Sequence, residues 1–286
     1  MPDQIDLSRM QSVPVIGPNG FLRLHRYWRE ADGSMWDDIW KNTSSRETWQ
    51  HALDGRLDRD LERLALKYLE PGAKVLEAGC GVGQVVLALR AKSFDCVGLD
   101  YASDTIKILN KEFPEVPFHQ GDIRCLPYPP SSFDGYLSLG VIEHFTEGQE
   151  LMLREAARVV KPGGLLVISV PALNGWRALK CRLNLYDSQG TEPFFEACFS
   201  LQELELLLRN SGFTPQEHFF RNTVMTFAQE TIIRPLYRYL EDVRFLRGAV
   251  DRLLRLFLPR SLFGHMLMVV AKRNDDGAGN CSGKGQ

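Results

Sequence analysis

"VLEAGCGVGQ", Val75 to Gln84, sets Gly79, Gly81 and Gly83 directly after a short apolar run. Glycine lets a backbone turn left-handed and come close to a ligand. The dinucleotide fingerprint is G-x-G-x-x-G, but position 84 is Gln, so the spacing does not fit. Starting the frame at Gly81 fails too, because Val86 takes the last place. The lysine and Ser/Thr of a P-loop are also missing. Glu77 stands two residues before the first glycine, where a carboxylate repels phosphate. The pattern still reads strand, glycine turn, helix N-terminus, which offers free N–H groups and a positive dipole end. A ligand with a carboxylate and an ammonium suits both features, its ammonium near Glu77.

Outward from this loop the chain alternates strand and helix. The strands are "AKVLEA", "FDCVGLD", "VPFHQGD", "FDGYLSLG" and "LLVISVP". The helices between them are "GQVVLALRAK", "SDTIKILNKEF" (capped by Ser103 or Asp104) and "GQELMLREAARVV". Before the loop, Leu57, Leu61, Leu64 and Tyr68 recur at helical spacing until Pro71-Gly72. This order predicts an α/β fold, a mostly parallel sheet with helices on both faces. After Pro171 the rhythm breaks into an irregular aromatic stretch, 172–198. It resumes with "SLQELELLLRNSGF", where Ser200 and Glu203 fit a capping box and Gly212 suits the C-terminal end.

Two acids stand at the next strand ends. Asp100 can accept hydrogen bonds from both hydroxyls of a ribose. Asp122 can accept from an adenine amino group, with Ile123 adding an N–H and apolar cover. Amino acid, ribose and adenine in series describe S-adenosylmethionine (SAM).

Here "VLEAGCGVGQ", "VGLDYASDTI", "QGDIRCLPYPPSSFDGYLSLGVIEHF" and "EAARVVKPGGLLVISVP" resemble successive motifs of class I SAM-dependent methyltransferases. The resemblance is to the broad group that includes the ubiquinone and menaquinone biosynthesis enzymes. It spans roughly 55–171 and is weaker over 199–273. It implies a Rossmann-like sheet of seven strands whose last strand runs antiparallel. It also implies that Glu77, Gly79, Gly81, Gly83, Asp100, Tyr101, Asp122 and Ile123 contact SAM, with Leu139 and Gly140 at its methionine end. Some related quinone O-methyltransferases carry Glu-x-x-Glu-His after the fourth strand and bind a divalent metal. This chain has Gly140 in the first Glu's place, so the expectation is no metal.

Methyl transfer from a sulfonium needs alignment of nucleophile, methyl and sulfur, and exclusion of water. A hydroxyl acceptor also profits from a base. The candidate is His144 beside Glu143 in "LGVIEHF"; the alternative is that the pair braces the following loop. Tyr27, Trp28, Trp36 and Trp40 are candidates for a lid over SAM, although burial under an N-terminal helix is the commoner use of such residues. Trp176, Tyr186, Phe194 and Phe195 lie where related enzymes insert substrate-binding segments, and point to an apolar or ring-bearing acceptor.

The domain reading is an aromatic-rich N-terminal extension over 1–54 and a methyltransferase domain over 55–273. That domain carries insertions at 172–198 and 225–262, and 274–286 reads as a disordered tail. Segment 225–262 is basic and amphipathic. It reads as a helical cap on the sheet, with a membrane-surface helix pair as the alternative.

The 286 residues carry a net charge of −2, which gives no pull toward nucleic acid. No long apolar span, signal-peptide layout or C-x-x-C pair appears, so the expectation is a cytoplasmic protein with reduced thiols. The expected activity is methylation of a small-molecule, lipid or glycan-intermediate acceptor, at oxygen first and at carbon or nitrogen as the alternative. A non-catalytic SAM-binding protein is the competing class. Oligomeric state is not legible.

Overall fold

The computed structural model describes residues 10–43, 46–230 and 256–275. Seven strands form the main sheet: β3 (Lys74–Ala78), β4 (Asp95–Asp100), β5 (Phe118–Gln120), β6 (Phe133–Leu139), β7 (Val160–Pro171), β9 (Phe213–Arg221) and β10 (Met266–Arg273). Their order is β5-β4-β3-β6-β7-β10-β9. The first five pair in parallel, and β10 runs antiparallel to both β7 and β9. The expected seven-stranded Rossmann-like sheet with a reversed last strand is present.

Strand alternation divides the core in two. Leu166, Ile168 and Val170 of β7, with Leu267 and Val269 of β10, face α6 (Gln149–Val159) and α8 (Leu201–Asn210). Leu165, Val167, Met268 and Val270 face the other way. They meet α3 (Arg59–Tyr68) and α4 (Gln84–Ala91), and α5 (Ser103–Glu112) packs into the same layer.

Local signals mostly hold, with instructive exceptions. Ser200 caps α8 by accepting from the Glu203 amide at 3.2 Å. Glu203 does not complete the capping box, because Arg23 donates to its carboxylate at 2.7 Å in a buried pair. Neither Ser103 nor Asp104 caps α5, whose N-cap is Ala102. The acceptor comes from α1 (Gly33–Thr43) instead. Asp37 takes the Thr105 amide and hydroxyl, both at 2.8 Å, and the Asp104 amide at 3.3 Å.

A second sheet, unforeseen from sequence, joins the N-terminal extension to the stretch read as irregular, 172–198. β1 (Gln11–Ile16) and β2 (Leu22–Tyr27) form a hairpin, and β8 (Phe194–Cys198) pairs antiparallel with β2. Between Pro171 and β8 lies α7 (Gly175–Arg182), capped by Asn174. Arg177 of α7 is fully buried. It donates to the Ala172 carbonyl at 2.7 Å, to Glu230 at 3.1 Å and to His265 Nδ1 at 2.9 Å. Glu230 also accepts from Lys180 and Tyr186, both at 2.8 Å.

Of the basic segment 225–262, the helices Thr223–Glu230 and Arg260–Phe263 flank residues 231–255, which lie outside the described residues. Most of the predicted tail does too. Asn274, assigned to it, instead donates its amide to the Gly212 carbonyl at 2.9 Å. Among the described residues, no helix is long and apolar enough to cross a membrane.

Candidate active site

A cavity of about 700 Å³ opens at the C-terminal ends of β3, β4, β5 and β6, where open α/β sheets bind ligands. Six of the predicted cofactor residues border it: Gly79, Asp100, Tyr101, Asp122, Ile123 and Gly140. Glu77, Gly81, Gly83 and Leu139 do not.

The glycine loop earns its residues locally. Gly79 has φ +84°, and a Cβ there would lie 2.4 Å from a Val141 methyl. Gly81 has φ +49°, and a Cβ would meet the Trp40 indole at 2.9 Å. The sequence reading expected free loop amides, yet most are engaged within the protein. Gly79 and Cys80 donate to the Leu99 carbonyl at 2.7 and 3.0 Å, Gly81 to Asp100 Oδ2 at 2.8 Å, and Gly83 to the Cys80 carbonyl at 2.9 Å. The loop therefore offers the cavity a bare Cα surface more than a row of donors.

Glu77 has a different place from the one expected. It is 4% exposed and lies under the loop, with the Val86 amide in the first turn of α4 as its hydrogen-bonding neighbour. Its Oε2 meets no partner. Burial pushes its carboxyl well above the usual range, and Asp100 nearby adds to the rise. The side chain shares a face of β3 with Val75, so strand alternation turns it toward α4.

Asp100 does sit at the cavity. It accepts from the Gly81 and Ala102 amides at 2.8 and 3.0 Å. Burial raises its carboxyl, and these amides pull it back down. Asp122 is gripped by Arg124, whose guanidinium donates to both its oxygens at 2.6 to 3.0 Å. That arginine holds Asp122 below its ordinary range, and nothing in the sequence reading had singled it out.

A roof comes from the N-terminal segment. Trp36 and Trp40, one turn apart on α1, stack at 5.6 Å and border the cavity. Asp37 fastens their helix to α5, and the Tyr101 hydroxyl donates to the Ala31 carbonyl at 2.6 Å. Of the other lid candidates, Trp28 packs edge-on against Phe195 and Tyr27 edge-on against Phe194, and neither of the two lines the cavity itself.

His144 ends a single 3-10 turn, Ile142–His144, after β6, and borders the cavity. Its ring sits edge-on to Trp36 and to Phe195, each at 4.9 Å. Nδ1 lies 2.8 Å from the Phe195 carbonyl, so Nδ1 carries the proton and Nε2 keeps its lone pair. Burial lowers its pKa, which keeps the imidazole neutral. Glu143 lies behind the wall and is fully buried. Of the predicted acceptor residues, only Phe194 borders the cavity. Phe195 supports His144 from behind. Trp176 packs on Phe263 and Tyr186 bonds Glu230, both in the charge cluster around Arg177. Phe145, Thr146, Glu147 and Glu30 complete the outer wall and were not foreseen.

Residues 76–168 match the family described as "Methyltransferase domain". A Mycolicibacterium smegmatis protein named "Probable S-adenosylmethionine-dependent methyltransferase" is 30% identical over 148 residues, 51% of this chain and 54% of its own length. The 27-O-demethylrifamycin SV methyltransferase of Amycolatopsis mediterranei is 27% identical over 202 residues, 65% of this chain and 72% of its own. A solved SAM-dependent methyltransferase from Mesorhizobium loti superposes with TM-score 0.51 at 19% identity, covering 77% of this chain and all of its own, a likeness of fold alone. The chain spans about half the length of the first of these relatives. Residues 76–168 thus resemble a methyltransferase domain, and they lie in a sheet whose order is that of the Rossmann-like fold.

Proposed function

We propose that the protein transfers the methyl group of SAM to an oxygen of a ring-bearing small molecule or lipid intermediate. SAM supplies an electrophilic methyl group on a sulfonium. Asp100 would accept from the ribose hydroxyls, and Asp122 and Ile123 would frame the adenine. Gly79 and Gly140, the bare backbone at the cavity floor, leave room for the methionine end. Glu77 serves as a positioning residue that steadies the turn into α4 from below, rather than as a contact of the ammonium.

The observation that carries the choice of oxygen is His144. It is a neutral imidazole at the cavity wall with its Nε2 lone pair available and its orientation fixed by the Phe195 carbonyl. Such a group can take the proton of an acceptor hydroxyl as the methyl group arrives. Phe194 and Phe145 line the same cavity, which favours a flat or apolar acceptor. The Amycolatopsis relative is, by its name, a methyltransferase of 27-O-demethylrifamycin SV, which is compatible with an oxygen acceptor. Carbon and nitrogen acceptors are the alternative, because in-line displacement at the sulfonium has the same geometry for each.

The test is transfer of labelled methyl from SAM to a panel of phenolic, enolic and aliphatic hydroxyl acceptors. Wild type should methylate at least one hydroxyl. His144→Ala should then lose roughly 10²–10⁴ in kcat while still binding SAM. Transfer only to carbon or nitrogen, or an unchanged kcat in His144→Ala, contradicts the proposal.

A further inference from the structure

We propose that Glu143 and Glu196 form a buried pair behind His144, one a carboxylic acid and the other a carboxylate, whose single negative charge stabilises the imidazole once it has taken the acceptor's proton. The proposal rests on the methyl-transfer reading for that proton and adds two positioning residues to it. Glu143 precedes His144 in the turn after β6, and Glu196 comes from β8 of the second sheet. A His144 nitrogen and one oxygen of each carboxyl all lie within 4.8 Å of one another. Both carboxyls are sealed from solvent, Glu143 at 0% and Glu196 at 1% exposure. Both oxygens of Glu143 and Oε2 of Glu196 meet no hydrogen-bond partner.

Two buried carboxylates this close repel each other, and one cation serves only one of them. Arg26 donates to Glu196 Oε1 at 2.7 Å, with Glu230 at 3.5 Å as its second partner. That contact keeps Glu196 ionised, so the proton of the pair belongs on Glu143. Burial, with Glu196 beside it, pushes the Glu143 carboxyl up, although the Val141 and Glu143 amides offset part of the rise. Protonated, Glu143 has an O–H to offer, and Glu196 Oε2 has lone pairs to receive it after a small side-chain rotation. One hydrogen bond then satisfies two of the three orphaned oxygens.

The charge left on Glu196 matters because the other surroundings of His144 oppose a cation. The ring stands between Trp36 and Phe195, and burial lowers its pKa while Glu196 raises it. Against the ring, α1 sets the Trp36 indole, β8 sets Glu196 and its own turn sets Glu143. The titratable side chains elsewhere on the cavity lining are Glu30, Asp100, Tyr101, Asp122, Arg124 and Glu147. In the transfer step the acceptor oxygen gives its proton to Nε2 and forms its bond to the methyl carbon. The methyl–sulfur bond breaks with its electron pair on sulfur, which leaves as a neutral thioether. Nδ1 keeps its proton on the Phe195 carbonyl, so the ring ends as a cation beside Glu196. Nε2 then returns the proton to water in the cavity. Glu196 comes from a strand that pairs with the N-terminal hairpin, which no local pattern reveals.

The experiment is NMR titration of the imidazoles in the full chain, without SAM or acceptor, with the His144 signal assigned by its loss in His144→Gln. Glu196→Gln should lower the His144 midpoint by roughly one pH unit. Infrared spectra at neutral pH should show a carboxylic acid C=O band that Glu143→Gln removes. In the methylation assay Glu196→Gln should lose roughly tenfold or more in kcat at unchanged KM, and Glu196→Asp should recover most of it. Glu196→Gln strands Arg26 and risks misfolding. The double variant Arg26→Gln, Glu196→Gln removes both charges of that pair and should move His144 the same way. A His144 midpoint unmoved in the folded variant, an acid band untouched by Glu143→Gln, or an unchanged kcat in Glu196→Gln overturns the proposal. Both spectra are read without methyl transfer. If they come out as expected and no hydroxyl is methylated, the acid–carboxylate pair stands and the methyl-transfer reading alone fails.

Discussion

Gly79 and Asp100 were legible as residues that border the cavity, because strand, turn and strand end fix where they must lie. Glu77 was legible as important but not in its orientation. Its role depends on which face of β3 it occupies, and the apolar run around it does not display that face. Glu196 was invisible as a partner of His144, since their proximity depends on a strand pairing in a second sheet. At Gly79 the structure makes a sharp demand, with φ +84° and Val141 at 2.4 Å from any added Cβ. Gly79→Ala should therefore destabilise the fold by ~1–3 kcal/mol, combining left-handed strain with overpacking. The cost should appear as a lower denaturation midpoint together with weaker SAM binding. A variant of wild-type stability would show that Val141 yields freely and that the glycine is not required there.

Elements followed from periodicity wherever one face met one layer of the core. The strands from β3 to β7 and helices α4 to α6 were all readable, and so was the boundary of α8 at Ser200. The cap of α5 was not, because the acceptor sits on a different helix. Asp37 replaces a local Ser or Asp and so ties the Trp36–Trp40 roof to the element that follows Asp100. Removing it with Asp37→Ala should cost ~1–2 kcal/mol, the value of a lost N-cap. The loss should be measurable by chemical denaturation. Because α1 also carries the roof, amide exchange in α1 should rise with it. Destabilisation with no change of exchange in α1 would separate the cap from the roof.

At the scale of the whole molecule, the domain was readable from sequence and its wrapping was not. Arg26, Arg177, Lys180 and Tyr186 converge on Glu230 from distant parts of the chain. Such long-range charge pairing leaves no periodic trace. The cluster has a pH signature. His265 accepts from Arg177 at Nδ1, and burial with that arginine pushes its pKa well below the ordinary value. His25 is likewise lowered to about 4 by burial and Arg23. Unfolded histidine titrates near ~6.5. Below that pH the unfolded chain binds more protons than the native one, so stability falls as pH falls, by up to ~1.4 kcal/mol per unit for each histidine. The melting-temperature difference between wild type and His265→Gln should therefore shrink from pH 7 to pH 5. Glu77 and Glu143, whose pKa values burial raises, titrate in both proteins and cancel. A difference that is flat with pH would mean that His265 takes up its proton in the fold as readily as in the unfolded chain. The central claim is that the cavity at the ends of β3 to β6 holds SAM, and calorimetric titration with SAM tests it most directly. Wild type should bind one equivalent, and Asp100→Ala should lose most of that affinity; no binding, or binding untouched by Asp100→Ala, would contradict it.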